Sequence, residues 1–337
     1  MIDIIVAGGG PAGLATAIHA ALAGMDVVVV EPRTAPVDKA CGEGLMPGGV
    51  AALQAIGVRV DGHPLHGIDY VDAATRARAA FGHAPGRGVR RTALHAALSA
   101  RAADLGIPTI TGKITRLRQD EHGVEAAGLR ARWLVAADGL HSPLRAWLNL
   151  GRPDRRPPRY GLRRHYRLAP WSDYVEVHWS PAGEAYVTPV ADDLVGVAIL
   201  TSRRRGFDEH LTAFPTLLPR LAGPAATSVR GAGPLRQRVR SRVAGRVLLV
   251  GDAAGYTDAL TGEGLCLATL SARALVGCLA AGRPQDYERA WRRLSRTHRL
   301  LTGALLSAAH RPRAARLVVP AAARLPALFT AVVRALA

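Results

Sequence analysis

Two glycine-rich segments, far apart in the chain, contain the residue types that bind a dinucleotide. The first, Gly8-x-Gly10-x-x-Gly13, follows an apolar run and precedes an alanine-rich segment. There the first glycine allows a tight turn, the second lets backbone approach a pyrophosphate, and the third lets a helix pack on a strand. Glu31 ends the next apolar run, where it can accept hydrogen bonds from ribose hydroxyls. This order of apolar run, glycine turn, alanine-rich segment and acidic residue predicts a dinucleotide site rather than a glycine-rich turn of an unrelated α/β protein.

The second segment extends this site to a particular cofactor. Residues 251–255 read Gly-Asp-Ala-Ala-Gly after an apolar run, and residues 261–265 read Thr-Gly-Glu-Gly-Leu. A carboxylate at Asp252 suits the hydroxyls of a sugar-alcohol chain. A helix beginning near Gly264 would direct its positive end to the ring position that gains negative charge on reduction. Together the two segments predict FAD rather than NAD. The alternative role for Asp252 is a helix N-cap.

A loop with a functional role is predicted between residues 38 and 47, because this segment is too rich in glycine for regular structure. Its carboxylate, Glu43, could orient a phenolic substrate or act as an acid or base. Cys41 is the second catalytic candidate, and the alternative for it is a small buried apolar residue. Another acid, Asp138, ends the apolar run at 132–137, so it is expected at the carboxyl end of a sheet strand, where ligands bind.

The elements that must position these residues follow from the hydrophobic periodicity. Short β-branched apolar runs predict strands, and apolar residues every three or four positions predict helices. The expected FAD-domain elements are a strand at 2–7, a helix at 11–22, a strand at 26–31, a helix at 91–105, and strands at 107–110, 132–139 and 246–252. Beyond a linker at 152–159, short strands are expected at 164–168, 175–179, 185–190 and 194–200. These later strands predict an antiparallel meander that serves as a substrate platform.

The predicted fold is therefore α/β: a Rossmann-like FAD-binding domain of the glutathione-reductase type, interrupted by an antiparallel β-sheet substrate domain and followed by C-terminal helices. The FAD-binding parts are expected at residues 1–70, 89–158 and 241–290, the substrate-sheet parts at 71–88 and 159–240, and the helical tail at 291–337. On the platform, Trp179 and Tyr186 could face a planar or apolar substrate, with His165 or His178 as a polar anchor. The alternative is that they fill the interface between the sheet and the FAD domain.

Composition argues against several other classes of protein. The chain of 337 residues is 49% hydrophobic and has a formal net charge of +18, but Lys39 and Lys113 are its only lysines, and its arginines are scattered with few aromatic residues among them. This distribution favours a solvated surface that attracts anionic ligands over nucleic-acid binding. The three cysteines lack metal-ligand spacing, which argues against a disulfide framework or a metal site.

The two ends of the chain predict a cytoplasmic location. The sequence begins directly with a strand-like run and lacks the basic segment, apolar core and cleavage site of a signal peptide. Residues 317–337 are apolar, but Pro320, Arg324, Pro326 and Arg334 interrupt them within the roughly 20 residues that a spanning helix needs. We expect a packed helical tail, with interfacial membrane contact as the alternative and no span.

Three segments in this order resemble the fingerprints of FAD-dependent oxidoreductases of the aromatic hydroxylase and geranylgeranyl reductase superfamily. They are residues 8–13 with Glu31, residues 138–145, which read Asp-Gly-Leu-His-Ser-Pro-Leu-Arg, and residues 251–255. The resemblance implies that Asp252 binds the ribityl chain and that the backbone at 262–265 faces the pyrimidine edge of the ring. It also implies that Arg91 contacts the cofactor and that Asp138 belongs to a motif linked to FAD and NADPH use. The cofactor-binding residues expected on these grounds are Gly8, Gly10, Pro11, Ala12, Gly13, Glu31, Pro32, Arg33, Cys41, Gly42, Arg91, Asp138, Gly139, Gly251, Asp252, Ala253, Gly262, Glu263, Gly264 and Leu265.

The resemblance leaves the reaction open. Residues 41–45, Cys-Gly-Glu-Gly-Leu, resemble the loop of the geranylgeranyl reductase branch, but Glu43 replaces a glycine of that loop. The first hypothesis is an NAD(P)H-dependent monooxygenase that hydroxylates an aromatic or polyketide-like small molecule through a flavin hydroperoxide. The second is a geranylgeranyl reductase-like enzyme that reduces isoprenoid double bonds, and the third is a non-catalytic binding protein on the same fold. No second glycine motif follows a strand, so the reductant is expected to be NAD(P)H that binds transiently, or another protein.

Overall fold

The computed structural model describes residues 1–337, apart from the side chain of Pro312. Its strands are β1 (Ile2–Ala7), β2 (Val27–Glu31), β3 (Gly44–Leu45), β4 (His63–Leu65), β5 (Gly67–Val71), β6 (Arg76–Ala80), β7 (Gly86–Gly88), β8 (Thr109–Thr111), β9 (Leu117–Gln119), β10 (Val124–Ala126), β11 (Leu129–Ala136), β12 (Gly151–Arg152), β13 (Tyr160–Arg167), β14 (Tyr174–Ser180), β15 (Gly183–Ala191), β16 (Leu194–Thr201), β17 (Arg230–Ala232), β18 (Arg238–Val239), β19 (Val243–Ala244) and β20 (Val247–Leu249). Its α-helices are α1 (Pro11–Leu22), α2 (Pro47–Gln54), α3 (Arg91–Asp104), α4 (Pro143–Trp147), α5 (Phe207–Leu211), α6 (Gly264–Ala280), α7 (Asp286–Leu294), α8 (Arg296–Ala309), α9 (Pro312–Ala315), α10 (Val318–Arg324) and α11 (Pro326–Leu336). Short 3₁₀ turns occur at Leu218–Arg220 and Gly251–Ala254.

The first sheet carries the predicted nucleotide-binding elements. Its strand order is β19-β20-β11-β1-β2-β8, in which β20, β11, β1, β2 and β8 run parallel. Every residue of β2 is buried, as expected for a parallel strand whose two faces are both covered. β9 and β10 form an antiparallel extension beside β11. The predicted Rossmann-like α/β fold is therefore confirmed.

Parallel strand direction brings three functional segments to one edge of this sheet. β1, β11 and β20 end in register, because Ala136 pairs with Ala7 on one side and with Leu249 on the other. The glycine turn after β1, the acid after β11 and the turn after β20 therefore meet at the carboxyl end of the sheet, where such folds bind ligands.

The second sheet is the predicted platform, with strand order β17-β13-β16-β15-β14-β5-β6. Its neighbouring strands are antiparallel, except that β14 and β5 run parallel. This pair differs from a simple meander because β5 comes from the first part of the chain, and parallel neighbours need a long crossover. The platform also begins at Gly67 rather than at residue 71, and β7 lies in a separate sheet of order β3-β7-β4.

Two apolar clusters cover the faces of the platform. On one face, Tyr166, Val187 and Val197 pack with Phe207 of α5 and with Phe214, which follows that helix. On the other face, side chains of β5, β6, β14 and β15 pack with α8, α10 and α11. The helical tail predicted from residue 291 therefore covers the platform face that borders the FAD domain.

The last helices are apolar but short. No single helix among the described residues is long and apolar enough to cross a membrane. The segments Arg313–Arg324 and Pro326–Leu336 reach the required length and composition only as a pair, and they are bent by 102°. Leu317, Leu325 and Leu328 of this tail are 61%, 54% and 59% exposed.

Candidate functional site

The turn between β1 and α1 has room for a ligand because glycines form it. A Cβ on Gly13 would lie 1.8 Å from the carbonyl oxygen of Gly8, and Gly8 itself has a φ of 110°. Gly10 faces open space, since the nearest atom to a Cβ there would be Nη2 of Arg91, 3.9 Å away. No side chain of the described residues caps the N-terminus of α1. Its free backbone N–H groups and the helix dipole therefore favour an anion at this turn.

Arg91, at the start of α3, places a buried cation beside the turn. The residue is 5% exposed, and its Nη1 has no hydrogen-bond partner among the described residues. Burial lowers the pKa of Arg91, but an arginine stays charged at physiological pH. A buried guanidinium nitrogen without a partner is costly, so it indicates that an acceptor-rich ligand binds here.

Glu31 lies on the other side of the turn. Its carboxylate accepts a hydrogen bond from the backbone N of Gly9 at 2.6 Å and from the backbone N and guanidinium of Arg33 at 3.0, 2.6 and 2.9 Å. Burial alone would raise the pKa of Glu31, but these hydrogen bonds hold it below its usual value. The donors use all the lone pairs of the carboxylate. Because the Arg33 side chain is 43% exposed, a ribose hydroxyl would displace Arg33 and not Gly9.

Asp252 lies in the 3₁₀ turn after β20 and lines a cavity. Burial raises the pKa of its carboxyl, and the cations Lys39, Arg91 and Arg145 oppose that rise. Arg145 donates to the carbonyl oxygens of Asp252 and Ala253, at 3.3 and 3.2 Å, which fixes the turn. The N-cap of this turn is Val250, so the structure does not place Asp252 in the alternative role of a helix cap.

Asp138 and its neighbour Gly139 lie on the same rim. Oδ2 of Asp138 accepts a hydrogen bond from the backbone N of Leu144 at 3.1 Å, whereas the buried Oδ1 has no partner within the described chain. Burial raises the pKa of Asp138. Gly139 has a φ of 85°, and a Cβ there would lie 2.9 Å from Nζ of Lys39. Lys39 therefore reaches across the rim toward Gly139.

The segment before α6 contributes mainly backbone to the site. α6 begins at Gly264, as predicted, and Gly262 before it has a φ of 71°. Glu263 occupies the N-cap position, and its Oε2 lies 2.8 Å from Nδ1 of His298 in α8. The uncapped first turn of α6 lines the cavity with Gly264, Leu265 and Ala268, so its positive end faces the interior.

A cavity of about 340 Å³ lies between these elements and the platform. We call it the main cavity. Most of its wall is apolar or aromatic, and the side chains of this part include Ile68, Tyr70, Val175, Val177, Tyr186, Leu200, Leu260, Val332, Val333 and Leu336. Its polar side includes Lys39, Cys41 and Asp252 from the FAD domain. The main cavity therefore continues from the dinucleotide-type site into an apolar space.

The structure places three of the predicted substrate residues differently. Tyr186 lines the main cavity, and its hydroxyl donates to the carbonyl of Leu260 at 2.7 Å. Trp179 is 7% exposed and lies behind the wall, with its ring centroid 5.3 Å from that of Tyr70. His165 is fully buried beneath the loop at 41–44, where it contacts Glu43. Only Tyr186 of the three therefore faces the space where a substrate would bind.

The two predicted catalytic residues share one loop, and both line the main cavity. Cys41 lines the main cavity, and its Sγ accepts a hydrogen bond from the backbone N of Glu43 at 3.4 Å. Burial, together with the charge of Glu43, raises the pKa of the Cys41 thiol, so the thiol stays protonated at neutral pH. The carboxylate of Glu43 is also held in buried hydrogen bonds, to the backbone N of Arg91 and to the ring of His165. Its side chain is 1% exposed.

The chain is similar to known proteins in sequence and in fold. A family model described as FAD binding domain matches residues 1–163. Menaquinone reductase of Mycolicibacterium smegmatis is 31% identical over 332 residues, which cover 88% of this chain and 80% of that protein. Digeranylgeranylglycerophospholipid reductase 1 of Methanothermobacter thermautotrophicus is 28% identical over 329 residues, which cover 89% of this chain and 82% of that protein.

The chain belongs to the FAD-dependent oxidoreductase superfamily. The solved structure of a triple mutant of the flavin-dependent brominase Bmp2 shares its fold, with a TM-score of 0.84 and 15% identity over 100% of this chain and 94% of that chain. The predictions of the superfamily, of an oxidoreductase and of FAD binding are thus confirmed.

The residues around the main cavity have the chemistry that binds FAD. The glycine turn at 8–13 and the unpartnered Nη1 of Arg91 suit the pyrophosphate, and the Asp252 carboxylate suits the ribityl hydroxyls. The first turn of α6 suits the electron-rich edge of the ring. When bound, FAD supplies the redox chemistry, and the polypeptide supplies orientation and electrostatics.

Sequence reasoning left Lys39 and Arg145 out of the cofactor site. Lys39 is one of two lysines in the chain, within a loop already singled out for its glycines, and its charge acts on Asp252. Burial lowers the pKa of Lys39, and the charge of Asp252 opposes that shift. Arg145 ends the segment at 138–145, so its motif gave a usable signal. Lys39 was marked only by its scarcity and by its place in this loop.

Proposed function

We propose that this flavoenzyme reduces carbon–carbon double bonds of an isoprenoid substrate, with NAD(P)H as a transient reductant. The observation that carries the proposal is the apolar extension of the main cavity, which runs from the first turn of α6 to Val332, Val333 and Leu336 of α11. An isoprenoid chain offers hydrocarbon surface and almost no hydrogen-bonding groups, so an aliphatic wall is the complementary surface. The names of two relatives, a menaquinone reductase and a digeranylgeranylglycerophospholipid reductase, support the same substrate class.

The reaction adds a hydride and a proton across the double bond, and the proton must come from this chain or from water. We assign this proton to the Cys41 thiol. It lines the main cavity, and burial keeps it protonated by raising its pKa. After transfer, the thiolate would take up a proton from solvent, so the thiol is regenerated in each turnover.

Hydroxylation of an aromatic substrate is the second candidate. The main cavity includes the rings of Tyr70 and Tyr186, with His141 and Thr188 as polar groups in its wall. An aromatic substrate could stack on these rings and hydrogen-bond to a polar group. The monooxygenase hypothesis therefore stays a prediction that the same experiment tests.

The deciding measurement uses the FAD-loaded enzyme, NADPH or NADH, and three substrates: a prenylated quinone, a geranylgeranyl lipid and a simple phenol. Product masses are compared in the presence and absence of O2. The proposal expects a gain of two hydrogens on an isoprenoid chain without O2, whereas a gain of one oxygen on the phenol would favour hydroxylation. A purified protein that binds no FAD would contradict both.

Substitutions on α11 test whether the apolar end of the main cavity holds the chain. Val332→Trp fills this end, so it is expected to raise KM for a geranylgeranyl substrate by about tenfold. A substrate with one prenyl unit should be affected less. Leu328→Trp, on the same helix but 59% exposed, is the matched control and should leave both values near wild type. Equal KM changes in the two variants would place the substrate elsewhere.

Cys41→Ser tests the proton donor. A serine hydroxyl is a much weaker acid than a thiol, so kcat should fall by about tenfold or more while FAD content stays unchanged. Cys278→Ser, in α6 and outside the main cavity, is the matched control. An unchanged kcat in Cys41→Ser would remove Cys41 from the reaction.

A further inference from the structure

A second cavity, of about 410 Å³, lies beside the main cavity. It is bordered by residues 236–242, by the first turns of α6, and by α7 and α8. Seven of its lining residues are arginines, so we call it the arginine cavity. Arg152, Arg238 and Arg240 are on the side of β12 and β18, whereas Arg242, Arg292 and Arg299 are on the side of α7 and α8.

Some of these cations are neutralised by carboxylates within the fold. Arg236 lies 2.6 Å from Asp154. Arg242 lies 3.0 Å from Glu288 and stacks over Trp291 at 3.8 Å, and Arg292 lies 2.8 Å from Glu288. These three arginines therefore have structural partners.

The other four arginines have no ion pair among the described residues. Among the described residues, the guanidinium groups of Arg238 and Arg240 donate only to the carbonyl oxygens of Pro153 and Gly151, at 3.2 and 3.3 Å. Arg152 and Arg299 line the same space. The only carboxylate in the described wall of the arginine cavity is Asp252, on the side shared with the main cavity. The open space is thus strongly positive at the end that is remote from Asp252.

A buried hydroxyl points to the same conclusion independently. Ser295, at the junction of α7 and α8, is 0% exposed and lines the arginine cavity. Its Oγ has no hydrogen-bond partner within the part of the chain that the structure describes. Burying a hydroxyl without a partner costs free energy, so an acceptor on a ligand is its natural partner. A hydroxyl donor among arginines suits an oxyanion.

We propose that the arginine cavity binds the phosphate groups of a small ligand. Guanidinium groups form charge-assisted, often bidentate hydrogen bonds with phosphate oxygens, and Ser295 adds a neutral donor. Tyr256, Gly264 and Asp252 line both cavities, so the bound ligand lies next to the flavin site. Two sources share this chemistry: the phosphates of a nicotinamide dinucleotide and the phosphate of a lipid headgroup. Naming these two sources rests on the proposed function, whereas phosphate binding itself does not.

Calorimetry on the FAD-loaded protein tests the site, because it needs no turnover. The probes are NADP+, adenosine 2′,5′-bisphosphate, inorganic phosphate, and vesicles of phosphatidylglycerol compared with phosphatidylcholine. The triple variant Arg152→Gln/Arg238→Gln/Arg240→Gln is expected to weaken binding of the preferred probe by about tenfold or more. Its matched control, Arg59→Gln/Arg116→Gln/Arg118→Gln, removes the same charge from exposed positions elsewhere and should bind as wild type does.

Ser295→Ala provides the second variant. Removing a buried hydroxyl that has no partner should leave the thermal midpoint unchanged or raise it, while binding of the phosphate probe weakens severalfold. If Ser295 had only a structural role, its substitution would not weaken phosphate binding while leaving the thermal midpoint unchanged.

The outcomes are distinct. Loss of nucleotide binding in the cavity triple variant supports a dinucleotide ligand, and loss of phosphatidylglycerol binding supports a lipid headgroup. The proposal is overturned when no probe binds, or when both triple variants weaken binding equally, since net charge would then be the cause. The flavin absorbance of the same sample reports its FAD content, and the product masses of the substrate assay report separately on the proposed function.

Discussion

The carboxylate of Glu43 lies 2.5 Å from Nε2 of His165, across 122 residues of sequence. Its other oxygen accepts a hydrogen bond from the backbone N of Arg91 at 2.8 Å. One buried side chain thus joins the loop at 41–44 to the start of α3 and to strand β13 of the platform. Glu43 has a φ of 59°, a conformation that costs a residue other than glycine about 1 kcal/mol. These hydrogen bonds offset that cost, so the geometry makes Glu43 a positioning residue.

Replacing Glu43 should destabilise the fold and loosen the flavin site together. Glu43→Gln removes the charge beside His165 and should lower the free energy of unfolding by about 2–3 kcal/mol. Chemical denaturation gives this value, and absorbance gives the FAD content. Glu209→Gln breaks an exposed pair with Arg205 and should cost less than about 0.5 kcal/mol. Equal losses in the two variants would contradict the linking role. Because φ is positive, Glu43→Gly should also be more stable than Glu43→Ala, by about 1 kcal/mol.

A side chain at Gly13 should abolish the pyrophosphate site. In Gly13→Ala the Cβ would lie 1.8 Å from the carbonyl oxygen of Gly8, so α1 must move away from β1. We expect purified protein with little or no FAD and a lower thermal midpoint. Gly277→Ala is the matched control because a Cβ there meets no atom within 4 Å. Since Gly277 lies inside α6, that variant should gain about 0.5–1 kcal/mol of stability. Full FAD content in Gly13→Ala would contradict the assignment.

Arg159 holds the platform against the segment that precedes α6. It lies 2.6 Å from Glu184 of β15 and 3.1 Å from Asp258, and all three side chains are buried. Arg159→Met would leave two buried carboxylates without a counter-ion and should lower the free energy of unfolding by about 3–5 kcal/mol.

The loss in Arg159→Met should be smaller at pH 5 than at pH 8. Burial already raises the pKa of Glu184 and of Asp258, and removing the cation raises both further, so protonation relieves the buried charge as the pH falls. Denaturation at the two pH values checks this. Arg205→Met, at an exposed pair, is the control and should show no such pH dependence. A loss independent of pH would mean that packing rather than charge is responsible.

His19 should make the protein less stable in mild acid. Burial and the nearby Arg273 lower the pKa of His19 from 6.5 to about 4. The folded state disfavours the protonated ring. The stability that the protein has with a neutral His19 is therefore fully present above pH 6.5 and is lost as the pH falls toward 4. Between pH 7 and pH 4, the free energy of unfolding of wild type should fall by on the order of 2 kcal/mol more than that of His19→Gln. His122→Gln, at an exposed position, should follow wild type, and parallel curves for all three proteins would exclude His19 as the cause.

Local sequence patterns were sufficient to predict the helices and strands of the FAD domain. The continuous apolar runs of β1, β2 and β11, the spacing of α1 and α3, and the glycines at 8–13 all act over short distances, so the sequence predicts them close to their observed bounds. The positions of Asp252 and Gly264 were predictable for the same reason, because Asp252 follows a strand and Gly264 begins a helix. The parallel pairing of β5 with β14 had no local signal, because it joins strands that lie far apart in the chain.

The sequence by itself determined the cofactor class and the order of the elements, because glycine turns, strand ends and helix starts are set by neighbouring residues. Only the tertiary structure decided how the side chains are used. The sequence predicts Glu43 as an acid or base, and the tertiary structure adds buried hydrogen bonds from its carboxylate to His165 and to the backbone N of Arg91. Arginines that looked scattered in the sequence converge on one cavity beside the flavin site. Burial and long-range pairing set these roles, and neither is encoded in the spacing of adjacent residues.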